Sequence, residues 1–501
     1  MRLREIACTL ALALQLHAQS ANPPSALPQG PERKQTVPVP LPDSPFTQRE
    51  LVLPPNRDAG IVPAPHVQFD ADHPYTLPEL VDIAEREHPE TRVAWETARN
   101  AALGAGIAAS TYLPRVTANI IGGYQGSTGE DSSLGFTLHN SGNVAGSVSA
   151  LSLEWLLFDF GGRRNIVDAA HKLSNSSNIA FTGAHQRVIY AVSVAYYAYL
   201  AGVQRQHTAE SALANAKEVE VAANARYRQG EGTVLETAQT RQLTAQSQFA
   251  LVQAQGAEAD AYVTLLAAMG VSPLERMQIA PLEHHALSSE DLGPVNQIVQ
   301  EALDRRPDVQ AAYAALQASE ASVKAAEAQN RPKIFLAGTG AYVSGQLGLT
   351  AIPAIGEQLP TLNVSGNHWN STLLLGLTIP VFDGNQRANS IQQAKNNVDK
   401  AKATLDGVRL NAIREIVSAQ NALRTSLAAN DAVQVLQAAA QTTYDAALDS
   451  YKQGVGTVTA SVTAQTQLLQ AQLAADDAYN SALSAAVTLA FATGSLGAAP
   501  R

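Results

Sequence analysis

The stretch FDFGGR at residues 158–163 returns as FDGNQR at residues 382–387, 224 positions later. A second stretch, YRQGEGT at residues 227–233, returns at the same offset as YKQGVGT at residues 451–457. Two different motifs that repeat in one order and at one offset indicate a duplicated structural unit.

The duplication covers most of the chain. The prolines of two earlier motifs return 218 positions later, as Pro307 and Pro332. The offset grows by six residues before Phe382, so the length difference falls in one loop. We predict a first repeat over residues 76–290 and a second over residues 291–501.

The N-terminus has the layout of a secretory signal peptide. Arginines come first, then an apolar run over residues 6–16, then small residues. We predict a signal peptide over residues 1–21 and a proline-rich leader over residues 22–75. The single cysteine, Cys8, would be removed with the signal, which leaves no thiol for a disulfide or a metal.

Composition argues against several classes of function. The net charge is −10, and no basic stripe interleaved with aromatic residues is present, so we expect no nucleic-acid partner. No Ser-His-Asp, Walker or metal-spaced constellation stands out, so we predict no enzyme activity, cofactor or metal site. Beyond the signal, no run approaches the roughly 18 apolar residues of a membrane-spanning helix.

Each repeat has the predicted order helix, strand, strand, long helix, tight turn, helix. The first pair of strands is predicted at about residues 114–125 and 147–158, with a polar loop over residues 126–146. The second pair is predicted at about residues 332–343 and 372–382. Ten-residue strands of this kind match those that cross a membrane within a barrel.

The second strand of each pair alternates cleanly. One face carries Leu151, Leu153, Trp155 and Leu157, and the other carries Ala150, Ser152, Glu154 and Leu156. In the second repeat the apolar register continues with Leu375, Leu377, Ile379 and Val381. A barrel between lipid and water requires such strands, although strands of a soluble sandwich also alternate. Four strands are too few to enclose a channel, so the interpretation of these strands as part of a membrane barrel requires an oligomer.

The helices account for most of the chain. About 65 residues without proline follow Arg163, which gives a helix of roughly 95 Å. Residues 90–112 and 233–270 together reach a similar length. We expect them to stack end to end along the long helix, with the strand hairpin where they meet.

Together these features resemble the TolC-like outer-membrane efflux proteins, also called outer membrane factors. The most specific elements are the two Phe-Asp-Gly-type corners and the two Tyr-x-x-Gly-x-x-Thr turns, each duplicated in order. The likeness covers about residues 76–494.

The resemblance implies an α+β membrane protein that forms a homotrimer. Three chains would contribute four strands each to a 12-stranded outer-membrane β-barrel, continued by a long periplasmic α-helical barrel. It further implies a passive exit duct that receives substrates from an inner-membrane pump through a periplasmic adaptor (membrane fusion) protein. The alternative is a soluble periplasmic coiled-coil scaffold.

The resemblance also implies roles for particular residues. The tips expected to contact the adaptor are Gly230, Gly232, Thr233, Val455, Gly456 and Thr457. The charged residues expected to close the periplasmic mouth are Arg226, Arg228, Glu231, Glu236 and Lys452. Aspartates that relatives carry near the mouth are replaced here by Ala460 and Thr463.

Ordinary structural roles would account for some of the same residues. Positive φ at the tip glycines would explain them without any function. The strand-to-helix corners comprise Asp159, Gly161, Gly162, Asp383 and Gly384, where we expect the aspartates to form turn hydrogen bonds.

Overall fold

The computed structural model describes residues 69–70, 72–133, 136–282, 287, 293–349 and 362–497. The predicted signal peptide and most of the predicted leader lie outside these residues. Within the described ranges the chain forms eight helices and seven strands.

The first repeat contains two short helices, a long hairpin of strands and a pair of long helices. Its elements are β1 (Pro74–Tyr75), α1 (Leu77–Glu87), α2 (Pro89–Ser110), β2 (Arg115–Ser133), β3 (Phe136–Phe158), α3 (Gly162–Arg228) and α4 (Val234–Ala268).

The second repeat follows the same plan. The short strand β4 (Gln278–Ile279) precedes it, and its elements are α5 (Val295–Leu303), α6 (Pro307–Ala328), β5 (Lys333–Leu349), β6 (Leu362–Ser365), β7 (His368–Thr378), α7 (Gln386–Lys452) and α8 (Val458–Ala492). The long helices α3 and α7 have 67 residues each, and α4 and α8 have 35 each. These equal lengths agree with a duplicated unit, and 67 residues correspond to about 100 Å of helix.

The first helix starts with a capping arrangement. The carboxylate of Glu79 accepts a hydrogen bond from the backbone N–H of Thr76 at 2.8 Å, and another from its hydroxyl at 2.8 Å. These bonds lower the pKa of Glu79 to about 2, because they stabilise its charged form. Pro89 then ends α1 and begins α2, since proline is tolerated in a first helical turn.

The end of the predicted leader belongs to the fold. Pro74 and Tyr75 form β1, which pairs in parallel with Gln278 and Ile279. The leader boundary at residue 75 is therefore too late. A pairing between segments about 200 positions apart leaves no local signal in the sequence.

The short helices meet at the opposite end of α2 from the strands. The chain runs from the last turn of α2 directly into β2, whereas α4 ends at Ala268, and Gly270 just after it lies beside His88, where α2 begins. A Cβ atom on Gly270 would lie 2.8 Å from the Cα of His88. The end-to-end stacking is present, but the expected position of the hairpin is wrong.

The long helix α3 has different neighbours along its length. Near the strands it packs against α2 and α6, and towards its C-terminus it packs against α4 and α8. The largest apolar cluster lies between these two regions and includes Leu80, Val188, Val192, Leu265, Leu266 and Met269. This cluster fixes α1 and the end of α4 onto α3.

The first strand hairpin is longer than expected. Its ladder continues from Gly126 opposite Asn143 to Ser133 opposite Phe136, so the predicted polar loop over residues 126–146 is wrong. Backbone groups form an antiparallel ladder, so polar side chains do not interrupt it. The last predicted strand is also displaced, because β7 ends at Thr378 and Ile379 lies beyond it.

The sheet has the order β2–β3–β5, and β6 and β7 both pair with the far side of β5. Directly opposite residues share a face of the sheet. One row consists of Val116, Leu153, Gly338 and Leu373, and the next consists of Thr117, Ser152, Thr339 and Thr372. The apolar register predicted from the sequence is therefore present across four strands.

Aromatic residues mark both ends of the apolar face. Tyr342 pairs with Trp369 at one end, with ring centroids 5.1 Å apart. Phe158 pairs with Ile334 at the other end. The nine residues from Ile334 to Tyr342 span about 26 Å along the strand. That length, on tilted strands, matches an apolar band flanked by aromatic girdles.

The two faces of the sheet should respond differently to charge. We expect Leu153→Arg, near the middle of the apolar face, to lower the free energy of unfolding by about 2–4 kcal/mol in lipid vesicles. Ser152→Arg, on the adjacent polar face, should cost much less. Urea unfolding of both variants in vesicles measures the difference, and equal costs would contradict the assigned faces.

Candidate functional site at the corners and helical tips

The first corner turns β3 into α3. Asp159 is buried, and its Oδ2 accepts a hydrogen bond from the backbone N–H of Arg163 at 2.6 Å. Gly161 has φ of 94°, a left-handed conformation that favours glycine. A Cβ atom on Gly162 would lie 2.9 Å from Asp159 Oδ2. The hydrogen bond expected of this aspartate is present, Gly162 leaves room for its carboxylate, and Gly161 allows the left-handed turn.

Arg163 joins three elements at this corner, a role that the sequence analysis missed. Its side chain is 7% exposed, and its Nη1 donates to the carbonyl of Thr111 at 3.1 Å. It also donates to the carbonyls of Leu156 and Leu157. The guanidinium lies 5.0 Å from the ring centre of Tyr112. The sequence signal that could have predicted this role is the recurrence of the arginine as Arg387 in the duplicated motif.

The second corner repeats the arrangement. The carboxylate of Asp383 accepts hydrogen bonds from the backbone N–H of Arg387 at 3.0 Å and from its Nε at 2.6 Å. Arg387 also donates to the carbonyl of Pro380 at 3.1 Å. Gly384 and Asn385 both have positive φ, 65° and 69°. The hydrogen bonds from Arg387 lower the pKa of the Asp383 carboxyl.

The corner should contribute stability that depends on pH. Because the folded pKa of Asp383 lies below its ordinary value of 3.8, the contribution is fully present above that value. It is lost as the pH falls through the lower folded pKa. We expect Asp383→Asn to lower the thermal unfolding temperature at pH 7, and the difference from the unmodified protein to shrink progressively below pH 4. A difference that persists at low pH would contradict this assignment.

The two tips have the same backbone geometry. Gly230 and Gly454 both have φ of 79°. Gly232 and Gly456 do not have positive φ, so that expectation is wrong for them. Their Cβ atoms would instead lie 2.8 Å and 2.9 Å from the backbone nitrogens of the tip tyrosines, which explains glycine at these positions.

Threonines begin the helices that leave the tips. The hydroxyl of Thr233 accepts from the backbone N–H of Glu236, and that of Thr457 accepts from Ala460, both at 3.2 Å. These are N-cap hydrogen bonds, which satisfy otherwise unpaired donors of a first helical turn. The threonines of the tip motif therefore have a structural role.

The tips expose apolar side chains at the far end of the helical pairs. Val455 is 80% exposed, and Val234 and Leu235 are each about two-thirds exposed. On a single chain these side chains face solvent at the reversal of the backbone. Each of the two turns therefore has an exposed apolar side chain in it or directly after it.

A set of contacts links the two tips. Nη1 of Arg226 donates to the carbonyl of Tyr451 at 2.9 Å, and its guanidinium lies 5.2 Å from that tyrosine's ring centre. The Tyr451 hydroxyl donates to the Glu236 carboxylate at 3.3 Å. Tyr451 is 1% exposed, and burial together with the Glu236 charge raises the pKa of its hydroxyl. In the sequence, Tyr451 stands out only as part of the turn motif.

The structure separates the five charged candidates into two groups. Arg226 and Glu236 meet at Tyr451, and Nζ of Lys452 lies 2.6 Å from Oε1 of Glu218. Arg228 and Glu231 are exposed, and no side-chain partner is recorded for either within the described ranges. Ala460 and Thr463 are exposed on α8, so the positions of the expected acidic ring carry neutral side chains. Nowhere in the described ranges do three or more histidine, cysteine or acidic side chains cluster as metal ligands.

A sheet with one apolar and one polar face, continued by helices of about 100 Å, defines a class of outer-membrane channel proteins. The outer membrane efflux protein family matches residues 80–271 and 298–495, and the chain belongs to this family.

Individual relatives agree with this membership. The outer membrane efflux protein BepC of Brucella suis is 28% identical over 393 residues, which cover 77% of this chain and 78% of that protein. Protein CyaE of Bordetella pertussis is 27% identical over 358 residues, covering 71% of this chain and 70% of CyaE. The structure of the outer-membrane channel OprN superposes with a TM-score of 0.68 at 20% identity, covering 85% of this chain and 94% of OprN.

The family and the shared fold establish the kind of assembly. The chain is an outer-membrane exit duct with a periplasmic extension. It forms trimers in which four strands from each chain build the 12-stranded barrel. The family is one of transport ducts, and the soluble scaffold is not favoured. Within the described ranges no helix has the length and hydropathy needed to cross a membrane.

Proposed function

We propose that the tips at residues 227–233 and 451–457 are where this duct receives a periplasmic adaptor protein. The adaptor would deliver substrates from an inner-membrane pump, which supplies the energy for export. The observation that supports this most directly is the exposed apolar surface around Val455 at the end of rigid turns. A partner that covers these side chains would gain free energy by removing them from water.

The geometry of the tips suits a fixed docking surface. The left-handed glycines and the threonine caps hold each turn in one conformation, so little conformational freedom is lost when a partner binds. The two tips differ in side chains at equivalent positions, Glu231 and Val455. An adaptor could therefore distinguish the first tip from the second.

The proposal also includes a closed resting state held by the contacts at Tyr451. Arg226 and Glu236 belong to the first helical pair, and Tyr451 belongs to the second. The ion pair of Lys452 with Glu218 joins the same two pairs. An exposed ion pair contributes only about 0–1 kcal/mol, but threefold symmetry repeats each contact. Adaptor contacts that favour the separated arrangement would open the mouth.

Gly456→Val should impair export. The added side chain would clash with the backbone of Tyr451 and Ser450, which distorts the tip without touching the sheet. We expect trimers to reach the outer membrane in normal amounts, while export of a pump substrate falls and chemical crosslinking to the adaptor decreases.

Gly407→Val is the matched control for this variant. It adds the same side chain to α7 far from both tips, at a position where a Cβ atom would meet no other side chain or element within 4 Å. Crosslinking and export should be retained. Normal crosslinking and export in the Gly456→Val trimer would contradict adaptor docking at the tips.

Arg226→Gln should weaken the closed state. The substitution removes the charged donor to the Tyr451 carbonyl and the cation over its ring. We expect single-channel conductance at rest, measured in planar bilayers, to increase. Arg228→Gln is the control, because Arg228 has no recorded side-chain partner in the described ranges. An unchanged conductance for Arg226→Gln would contradict the proposed closed state held by the contacts at Tyr451. It would not affect the proposal that the adaptor docks at the tips.

A further inference from the structure

We propose that Arg331, Phe158 and Phe160 form a binding site for the headgroup of a phospholipid at the periplasmic end of the apolar sheet face. The site rests on the outer-membrane location of the barrel and not on the proposed adaptor contacts. Each chain provides one such site, so a trimer provides three.

The strand geometry turns Phe158 towards the lipid. The ladder between β3 and β5 shifts between Leu156 and Phe158, so Phe158 pairs with Ile334. Ile334 in turn pairs with Leu377, which belongs to the apolar register. A bulge of this kind changes the face on which a side chain lies. Phe158 is therefore the last residue of β3 on the apolar face.

The corner adds a second ring. Phe160 has φ of 51°, which is uncommon for a residue with a side chain. Its ring packs edge-to-face on Phe158, with centroids 4.7 Å apart and an interplanar angle of 72°. Phe160 is 42% exposed and Phe158 is half-exposed. The two rings extend the apolar face to the level at which the strands end.

A cation lies beside these rings. Nη1 of Arg331 donates to the carbonyl of Phe160 at 3.1 Å, which holds the guanidinium at this corner. The side chain is exposed, and no carboxylate within ion-pair distance of it is recorded in the described ranges. Its remaining N–H groups can therefore donate to an anion. Guanidinium groups bind phosphate through paired hydrogen bonds.

The comparison of the repeats shows that neither residue is required by the fold. Arg331 occupies the position of Leu113 in the first repeat, and Phe160 occupies the position of Gly384 in the second. Both corners nevertheless make the same aspartate hydrogen bonds. The cation and the added ring are thus particular to the junction where the first corner meets the second repeat.

The surroundings favour a phospholipid over a free anion. The cation lies at the end of an apolar face about 26 Å long, beyond an aromatic girdle. Acyl chains would cover the apolar face while the headgroup phosphate reaches Arg331, and both rings would contact the glycerol region. Inorganic phosphate could use the guanidinium but would gain nothing from Phe158 and Phe160.

Native mass spectrometry of the purified trimer tests the site, with phosphatidylglycerol titrated in a mild detergent. We expect up to three retained lipids per trimer, and about tenfold weaker retention for Arg331→Gln. Phe160→Asn, which keeps a residue tolerant of positive φ, should also weaken retention. Lys333→Gln is the control, because Lys333 lies two residues further along the chain than Arg331, on the face of β5 opposite to the apolar face. Lipid retention by this variant should not change.

Three outcomes would overturn the proposal. Equal lipid retention by Arg331→Gln and the unmodified trimer would exclude a role for Arg331 in lipid binding. If Lys333→Gln lost as much lipid as Arg331→Gln, the loss would reflect a general effect of positive charge and not a specific site. Displacement of the lipid by millimolar inorganic phosphate, with no effect of Phe160→Asn, would assign the site to a free anion. Each variant is first shown to be trimeric by size, and none of these outcomes depends on the adaptor or on export.

Discussion

The structure depends on the requirement that backbone hydrogen-bonding groups inside a bilayer find partners within the protein. One chain satisfies this requirement only in part, because β2 and β7 are the outer strands of its sheet. Three chains join these edges and leave none open. The alternation of apolar and polar rows, the length of the apolar face and the size of the barrel all follow from a closed sheet between lipid and water.

The corners connect that sheet to the helices. In both repeats an aspartate accepts from the backbone N–H of an arginine four residues later, and the arginine donates to carbonyls at the end of the strand. One aspartate–arginine pair thus bonds to carbonyl and N–H groups that are left unpaired where a strand ends and a helix begins. A chain can therefore change from strand to a helix of 67 residues within a few positions.

The two tips share a backbone conformation but differ in their side chains. Their backbones are nearly identical, since the same glycine and threonine positions recur and make the same hydrogen bonds. Their side chains differ, and the contacts of Arg226 and Glu236 with Tyr451 run from the first tip to the second without a counterpart of the same kind in the opposite direction. A symmetric scaffold thus carries an asymmetric set of weak contacts, on which the proposed closed state of the mouth rests.

The repeat, the long helices, the alternating register and the corner and tip motifs are predictable from the amino-acid sequence, because each is expressed in local periodicity or in residues with special backbone preferences. Three features emerge only when the chain is folded: the longer first hairpin, the parallel pairing of Pro74 and Tyr75 with β4, and the end of α2 from which the strands leave. The same is true of the contacts by which Arg163 joins three elements, and of those by which Arg226 and Glu236, rather than Arg228, meet at Tyr451. Backbone ladders and contacts between distant segments arise from chain geometry, and no local pattern of side chains records them.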